Sequence, residues 1–256
     1  MRKFAILFSG GVMPSANYPR YLNDLREIYR TLVQQYGYAK GDIFTFYADG
    51  APQDLDGDGG NEVFANGSGG EFVALCQDHI YKLPKLMTEE DLLFIFTTNH
   101  GHLVDAATRQ AGIWFWQWDV GKPAWMRARE FARLINDFLK FKYLIACMGQ
   151  CYSGGFIDNL SGDNRVIMTA CRHDEPSWAC DTEGDYDEFL YHWTAAVRGR
   201  TPEGPAVNAD TDGDGRVSLR EAFLYAAAHD SRPETPQYYE SPAGLGSRLT
   251  LSGPIR

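Results

Sequence analysis

Short apolar runs alternate along this chain with stretches whose apolar positions recur every three or four residues. Phe4 to Phe8 opens the series, and Gly10-Gly11 closes that run. From about Arg20 to Gln35, the residues Leu22, Leu25, Ile28, Tyr29 and Leu32 fall at helical spacing. Ile43 to Tyr47 predicts a second strand, followed by a Gly/Asp/Asn-rich loop through Gly70 and a helix of about Glu71 to Lys82. Asp91 to Thr98 is nearly all apolar, the pattern of a strand buried on both faces. The alternation from Ile113 to Trp118 predicts a hairpin arm, and Pro123 can open a helix carrying Phe131, Leu134, Ile135 and Phe138. Tyr143 to Met148 and Val166 to Ala170 supply further strands, and Asp187 to Val197 and Leu219 to His229 further helices. Strands alternating with helices predict an α/β fold with three α-β-α layers around a mostly parallel sheet. With no internal repeat and no linker, residues 1–256 read as one domain.

Composition adds exclusions. Lys and Arg number 24 against 34 Asp and Glu, a net charge of -10. That balance argues against a nucleic-acid partner, which calls for clustered basic residues. No apolar run is long enough to span a bilayer. The opening Met1-Arg2-Lys3 leads straight into the first apolar run, too short for a signal peptide. The compartment stays open, cytoplasmic or secreted after trimming of a leader. Cysteines 76, 147, 151, 171 and 180 are odd in number, so at least one thiol is free or paired between chains. Nothing in the pattern fixes an oligomeric state.

Two residues stand where chemistry is expected. His100 and Cys151 each follow the end of a core strand, and ligands of parallel sheets bind beyond the carboxyl ends of their strands. A thiol attacks as thiolate, and a nearby imidazole can take its proton and later give it to a leaving amine. Gly101 and Gly154-Gly155 allow close backbone approach, and N–H groups beside the nucleophile can hold an oxyanion.

The words around the pair are specific. Strand-His100-Gly101, followed by strand-Gln150-Cys151-Tyr152-Ser153-Gly154-Gly155-Phe156, resembles the peptidases of the caspase/hemoglobinase fold, and within them bacterial relatives of legumain. Asn17-Tyr18 is similar to the Asn-Tyr-Arg-His stretch of legumains. Thr169-Ala170 with Glu175, Ser177, Trp178, Ala179 and Cys180 is similar to their Thr-Ala...Glu-Ser-Ser-Tyr-Ala-Cys segment. The resemblance implies a cysteine endopeptidase acting on peptides or proteins through a thioester on Cys151. His100 would be the general acid/base, and the backbone N–H groups of Gly101 and Cys151 the oxyanion hole. Asn99 precedes the His where legumains carry Asp; on a strand it faces away from His100.

For the residue before the cleaved bond (P1), the resemblance implies Asn, bound by an Arg near the first helix. Here Pro19 takes the apparent Arg position with Arg20 one residue on, and Tyr152 replaces an acidic residue after the Cys. Asp181, Glu183 and Asp185 offer instead an acidic pocket for Arg or Lys. Both preferences stay open.

Residues 210–221 fit the twelve-residue EF-hand loop at every position. Asp210, Asp212, Asp214 and Ser218 offer side-chain oxygens, Arg216 its carbonyl, and Glu221 a closing bidentate carboxylate, so calcium is the expected cofactor. Asp54, Asp56 and Asp58 repeat the opening, but Ala65 stands at the closing position and Glu62, at position nine, would have to substitute. Three other readings share the residues. One is a zinc site from His100, His102, Cys147 and Cys151. Another is an α/β-hydrolase with a Cys nucleophile, needing His173, His192 or His229 after it. The third is a calcium-dependent binding protein on an inactive peptidase fold.

Overall fold

A computed structural model describes residues 1–77, 83–116, 124–180 and 184–255. In chain order the elements are β1 (Lys3–Ser9), α1 (Pro19–Gln34), β2 (Ile43–Tyr47), α2 (Gly69–Gln77), the short α3 (Leu83–Leu86) and β3 (Leu92–Thr98). There follow β4 (Gly101–Asp105), β5 (Gln110–Trp114), β6 (Trp125–Arg127), α4 (Ala128–Phe138), β7 (Tyr143–Met148), the short α5 (Ile157–Leu160) and β8 (Arg165–Thr169). The chain ends with α6 (Glu188–Arg198), α7 (Leu219–His229), β9 (Gln237–Ser241), β10 (Leu249–Thr250) and β11 (Gly253–Pro254).

The main sheet runs β2-β1-β3-β7-β8-β9. All neighbours are parallel except β9, which pairs antiparallel to β8. Alternate residues of each central strand enter two different cores. Phe4, Ile6 and Phe8 of β1 join Leu93, Ile95, Leu144, Ala146 and Ile167 on the face covered by α2, α4 and α5. Ala5 and Leu7 join Phe94, Phe96, Ile145, Cys147, Val166 and Met168 on the face covered by α1, α6 and α7. Burial on both faces is why these strands read as unbroken apolar runs. The three-layer α/β architecture of the caspase-like fold is therefore what the chain forms. Among the described residues no helix is long and apolar enough to cross a membrane.

Three expectations need adjusting. The hairpin does not begin at Ile113: it begins at Gly101, directly after His100, with β4 antiparallel to β5 and β5 to β6. The polar, exposed positions of β4 hide its strand character, because only one face of this small sheet is buried. Trp118 and Pro123 lie outside the described residues, as does the far end of the helix expected to reach Lys82, and the helix expected from Pro123 starts only at Ala128 because Trp125–Arg127 pair with β5 as β6. The edge strand β9 had no apolar alternation to announce it, and every residue in it is half-buried. The five cysteines are all free of one another.

Candidate active site

Register brings the two strand ends together. Thr97 of β3 pairs with Met148 of β7, so His100 and Cys151 each lie three residues past a paired position. The Gly149 N–H donates to the Thr97 carbonyl at 2.8 Å, extending the pairing beyond the strands. Gly101 then packs against the backbone of Cys151, where any side-chain carbon would overlap the Cys151 carbonyl. Only glycine permits that approach. Tyr152 takes φ 61, in the left-handed region, so the chain turns sharply behind the thiol.

The Cys151 sulfur accepts the Ser177 N–H at 3.3 Å, and the Ser177 hydroxyl donates to the Gly149 carbonyl at 2.5 Å. On the histidine, Nε2 lies 3.1 Å from the Ala16 carbonyl and 3.2 Å from the Tyr21 hydroxyl. A carbonyl can only accept, so Nε2 carries the proton and Nδ1 keeps its lone pair. Nδ1 has no hydrogen-bond partner among the described residues. The rings of Tyr18 and Tyr21 each stand 5.5 Å from the imidazole, edge to face. Burial pushes the imidazole below its ordinary pKa, aided by the charge of Arg20. Burial likewise pushes the Cys151 thiol up, against the opposing Ser177 N–H. The resting pair is thus a neutral thiol beside a neutral imidazole.

Beside this pair lies a buried polar group that the sequence pattern did not disclose. Arg20 Nε donates to Asp187 Oδ1 at 2.8 Å. The Thr98 hydroxyl reaches both Asp24 Oδ2, at 2.9 Å, and Asp187 Oδ2, at 3.0 Å, and the Asp187 N–H donates to Asp24. Both carboxyls are buried, which raises both, while the guanidinium favours the charged form of Asp187. Two adjacent buried carboxylates cannot both ionise. Asp24 therefore holds the proton and Asp187 the charge. Asp24 sits in the apolar stripe of α1 with Tyr21, Leu25 and Ile28. An Asp in that stripe was the one available signal, and Asp187 carried none.

The other pocket candidates separate. Tyr152 packs against the α4-side core, away from Arg20, with its N–H on the Glu175 carbonyl. Asp181 and Glu183 lie outside the described residues, and Asp185 is exposed, its carbonyl holding Asn23. The loop 175–178 is clamped from the far end of the chain. Glu175 accepts the Thr235 N–H at 3.0 Å, Glu234 accepts the Trp178 N–H at 3.1 Å, and Arg232 lies over the Trp178 ring. Burial beside Asp230 raises the Glu234 carboxyl to about 10, so it is protonated at neutral pH.

The zinc reading fails on geometry: Cys147 is wholly buried in the α1-side core, while His102 lies against Trp125 outside it. The hydrolase reading finds no support either. His192 and His229 face each other at 5.7 Å beside Glu188, and neither they nor His173 shares a hydrogen bond with Cys151.

Comparison with known proteins bears on the class. Residues 83–201, which hold both strand ends, match the model of the Peptidase C13 family. Over those residues the chain is similar to the legumain-like cysteine peptidases. That family implies peptides or proteins as substrates. No curated protein is matched at significance. The crystal structure of a Geobacter sulfurreducens protein, solved as a structural genomics target, aligns over 100% of both chains with a TM-score of 0.63 and 11% identity. At that identity the likeness speaks for the fold alone.

The two acidic loops lie away from the peptidase centre and share one wiring. Asp54 accepts the N–H groups of Gly57 and Gly59, as Asp210 accepts those of Gly213 and Gly215. Glu62 accepts the N–H of Leu55, the second loop residue, at 2.7 Å; Glu221 accepts that of Thr211, also second, at 2.8 Å. Carboxylate oxygens of Asp54, Asp56, Asp58 and Glu62 gather within 4.8 Å of one another, as do those of Asp210, Asp212 and Asp214. Glu221 is not in the second group. Its oxygens are taken by Thr211, Asp212 and Ser218, the last as a capping box for α7. Lys40 places its ammonium 2.6 Å from both Asp56 and Asp58.

Proposed function

We propose that the peptidase cleaves on the carboxyl side of Asn through a thioester on Cys151, with calcium bound at both acidic loops. The observation that carries the P1 choice is the pairing of Arg20 with Asp187 above a protonated Asp24. Such a pocket has no net charge to offer a Lys or Arg side chain, whose cation would meet the Arg20 guanidinium. A carboxamide both donates and accepts, and can satisfy cation and anion together.

In the proposed reaction Cys151 Sγ passes its proton to His100 Nδ1 and bonds to the substrate carbonyl carbon. The oxyanion that forms is held by the N–H groups of Cys151 and Gly101. The carbon–nitrogen bond breaks as His100 returns the proton to the leaving amine, giving a thioester. Water then gives a proton to His100 and attacks the thioester, and the thiol leaves with that proton. Fluorogenic peptides differing only at P1 test the preference. Asn is expected to exceed Arg and Lys by at least tenfold in kcat/KM; equal or better cleavage after Arg or Lys would overturn it.

Calcium at 210–221 would take oxygens from Asp210, Asp212, Asp214, the Arg216 carbonyl, Ser218 and Glu221. That set fits a hard cation, with Glu221 exchanging its N–H partners for the ion. At 54–62 the ion would displace the Lys40 ammonium from Asp56 and Asp58, so this loop is expected to bind more weakly. Binding only the folded state, calcium at a hundred times its Kd adds about 2.7 kcal/mol per site. Thermal melts with calcium and with chelator are the measurement. A midpoint rise of several degrees, largely lost in Asp210→Ala, is expected; melts that coincide would remove calcium from the proposal.

A further inference from the structure

The hairpin that follows His100 carries an aromatic shelf on its open face. Side chains alternate along a strand, so His100 and His102 point to one side. Trp114 lies across from His100, its N–H on the His100 carbonyl at 3.0 Å, and Trp125 pairs with Trp114. The same face therefore bears His102, Trp114 and Trp125. The His102 ring lies 4.3 Å from the Trp125 ring and 5.3 Å from that of Trp114. Gly112, opposite His102, leaves its place open, and the Trp125 ring lies close over it. The other face, with Ala111 and Ile113, is buried in the α4-side core. All three rings of the shelf remain half-exposed.

Its position relative to the cleaved bond follows from the layers. Arg20 and Asp187, which meet the P1 side chain in the reading above, come from α1 and the start of α6, on one face of the main sheet. The hairpin instead rests on the turn after Cys151 and on α4, on the opposite face. A peptide laid across Cys151 from the Arg20 side continues onto the hairpin. His100, which protonates the leaving amine, stands at that junction. An extended chain advances about 3.3 Å per residue, so its second residue past the bond lies about 7 Å on. His102 is removed from His100 by the same two-residue step.

We infer that Trp125, Trp114 and His102 form a subsite for a bulky apolar side chain, aromatic or long aliphatic, at the second residue on the leaving-group side of the cleaved bond. The proposal rests on the peptidase reading of His100 and Cys151. Burial lowers the His102 pKa, so its ring is uncharged at neutral pH, and the Arg127 guanidinium lies over the Trp125 ring at 5.8 Å. The half-exposed indole faces lose water when an apolar group covers them, the kind of contact that discriminates by about tenfold or more in rate.

Internally quenched peptides with Asn at P1, and Gly, Leu, Phe or Asp two residues beyond the bond, provide the test. The wild-type enzyme is expected to favour Phe and Leu over Gly by about tenfold in kcat/KM. Trp125→Ala is expected to bring that ratio close to one, while Trp125→Phe keeps most of it. Should Trp125→Ala fail to fold, His102→Ala, which removes the opposite wall, is expected to lower the same ratio. Cleavage of the whole set with no dependence on that residue, or an equal ratio in the variants, overturns the subsite and leaves the peptidase reading standing. Cleavage of no peptide overturns both.

Discussion

Cys151→Ala is expected to abolish peptide hydrolysis, and His100→Ala to lower kcat/KM by about 10²–10⁴-fold, the usual worth of a positioned acid/base. Both variants are expected to keep the native fold, with His100→Ala melting slightly below the wild type because it loses the contacts of Nε2 with the Ala16 carbonyl and the Tyr21 hydroxyl. The pH profile carries more information than the loss itself. Burial lowers the imidazole and raises the thiol, so the neutral pair predominates over a broad middle range. As pH falls, His100 takes a proton and can no longer accept one from sulfur, giving an acid limb below the ordinary imidazole value. As pH rises, the alkaline limb comes above the ordinary thiol value. Alkylation of Cys151 by iodoacetamide without substrate should then climb only on the alkaline side. A fast rate persisting into acid would instead reveal a ready-made thiolate–imidazolium pair and sink this account of the resting state.

The second large effect belongs to Arg20. Arg20→Ala is expected to reduce cleavage after Asn on the order of 10²-fold, through loss of a charged hydrogen-bonding partner. It also strands Asp187 in a buried site. Removing one partner of a buried ion pair costs about 3–5 kcal/mol, and the lower end applies here because Arg20 retains some contact with water. The direction with pH is fixed. Asp187 is already raised by burial, and without the guanidinium it rises further. Below that raised value it binds a proton and rests neutral; above it, an unpaired charge is buried. The melting deficit of Arg20→Ala should therefore widen from pH 5 to pH 8. Asp24 supplies the control. Its raised carboxyl gives stability that is complete below the ordinary carboxylate range and is lost as pH rises through the folded value. Asp24→Asn keeps the neutral state at every pH and should flatten that decline. A deficit independent of pH in Arg20→Ala would mean that Asp187 is not the group left behind.

How much of this was legible beforehand depended on how far apart the cooperating residues lie. The central strands announced themselves because both faces are buried and each position had to be apolar. The proposed nucleophile Cys151 and its histidine His100 were legible as punctuation: a polar, glycine-flanked break where an apolar run stops. Asp24 and Asp187 were not, although they line the proposed P1 pocket. An Asp inside a helix stripe looks like an interruption until Thr98 and a residue far along the chain are brought to it. The hairpin was seen at one end only, since Gly101, His102 and Asp105 lack strand character while Ile113, the partner of Gly101, shows it. The Glu62 contact was half visible. Loop spacing placed it at the wrong position, and only the bond to Leu55 gives it the role of Glu221.

The clamp of Glu175 and Glu234 on the loop that touches the thiol has a consequence for how the molecule comes apart. The residues around Cys151 derive from α1, the ends of β3 and β7, the loop 175–178 and the segment 230–235. No local stretch of chain can rebuild that arrangement alone. Partial opening at 230–235 would free Trp178 and Ser177 while the six-stranded sheet stays intact. Such regional opening takes less free energy than global unfolding. In mild denaturant, turnover should therefore fade while circular dichroism still reports a native fold, so that catalytic rate becomes the earlier gauge of damage to this protein.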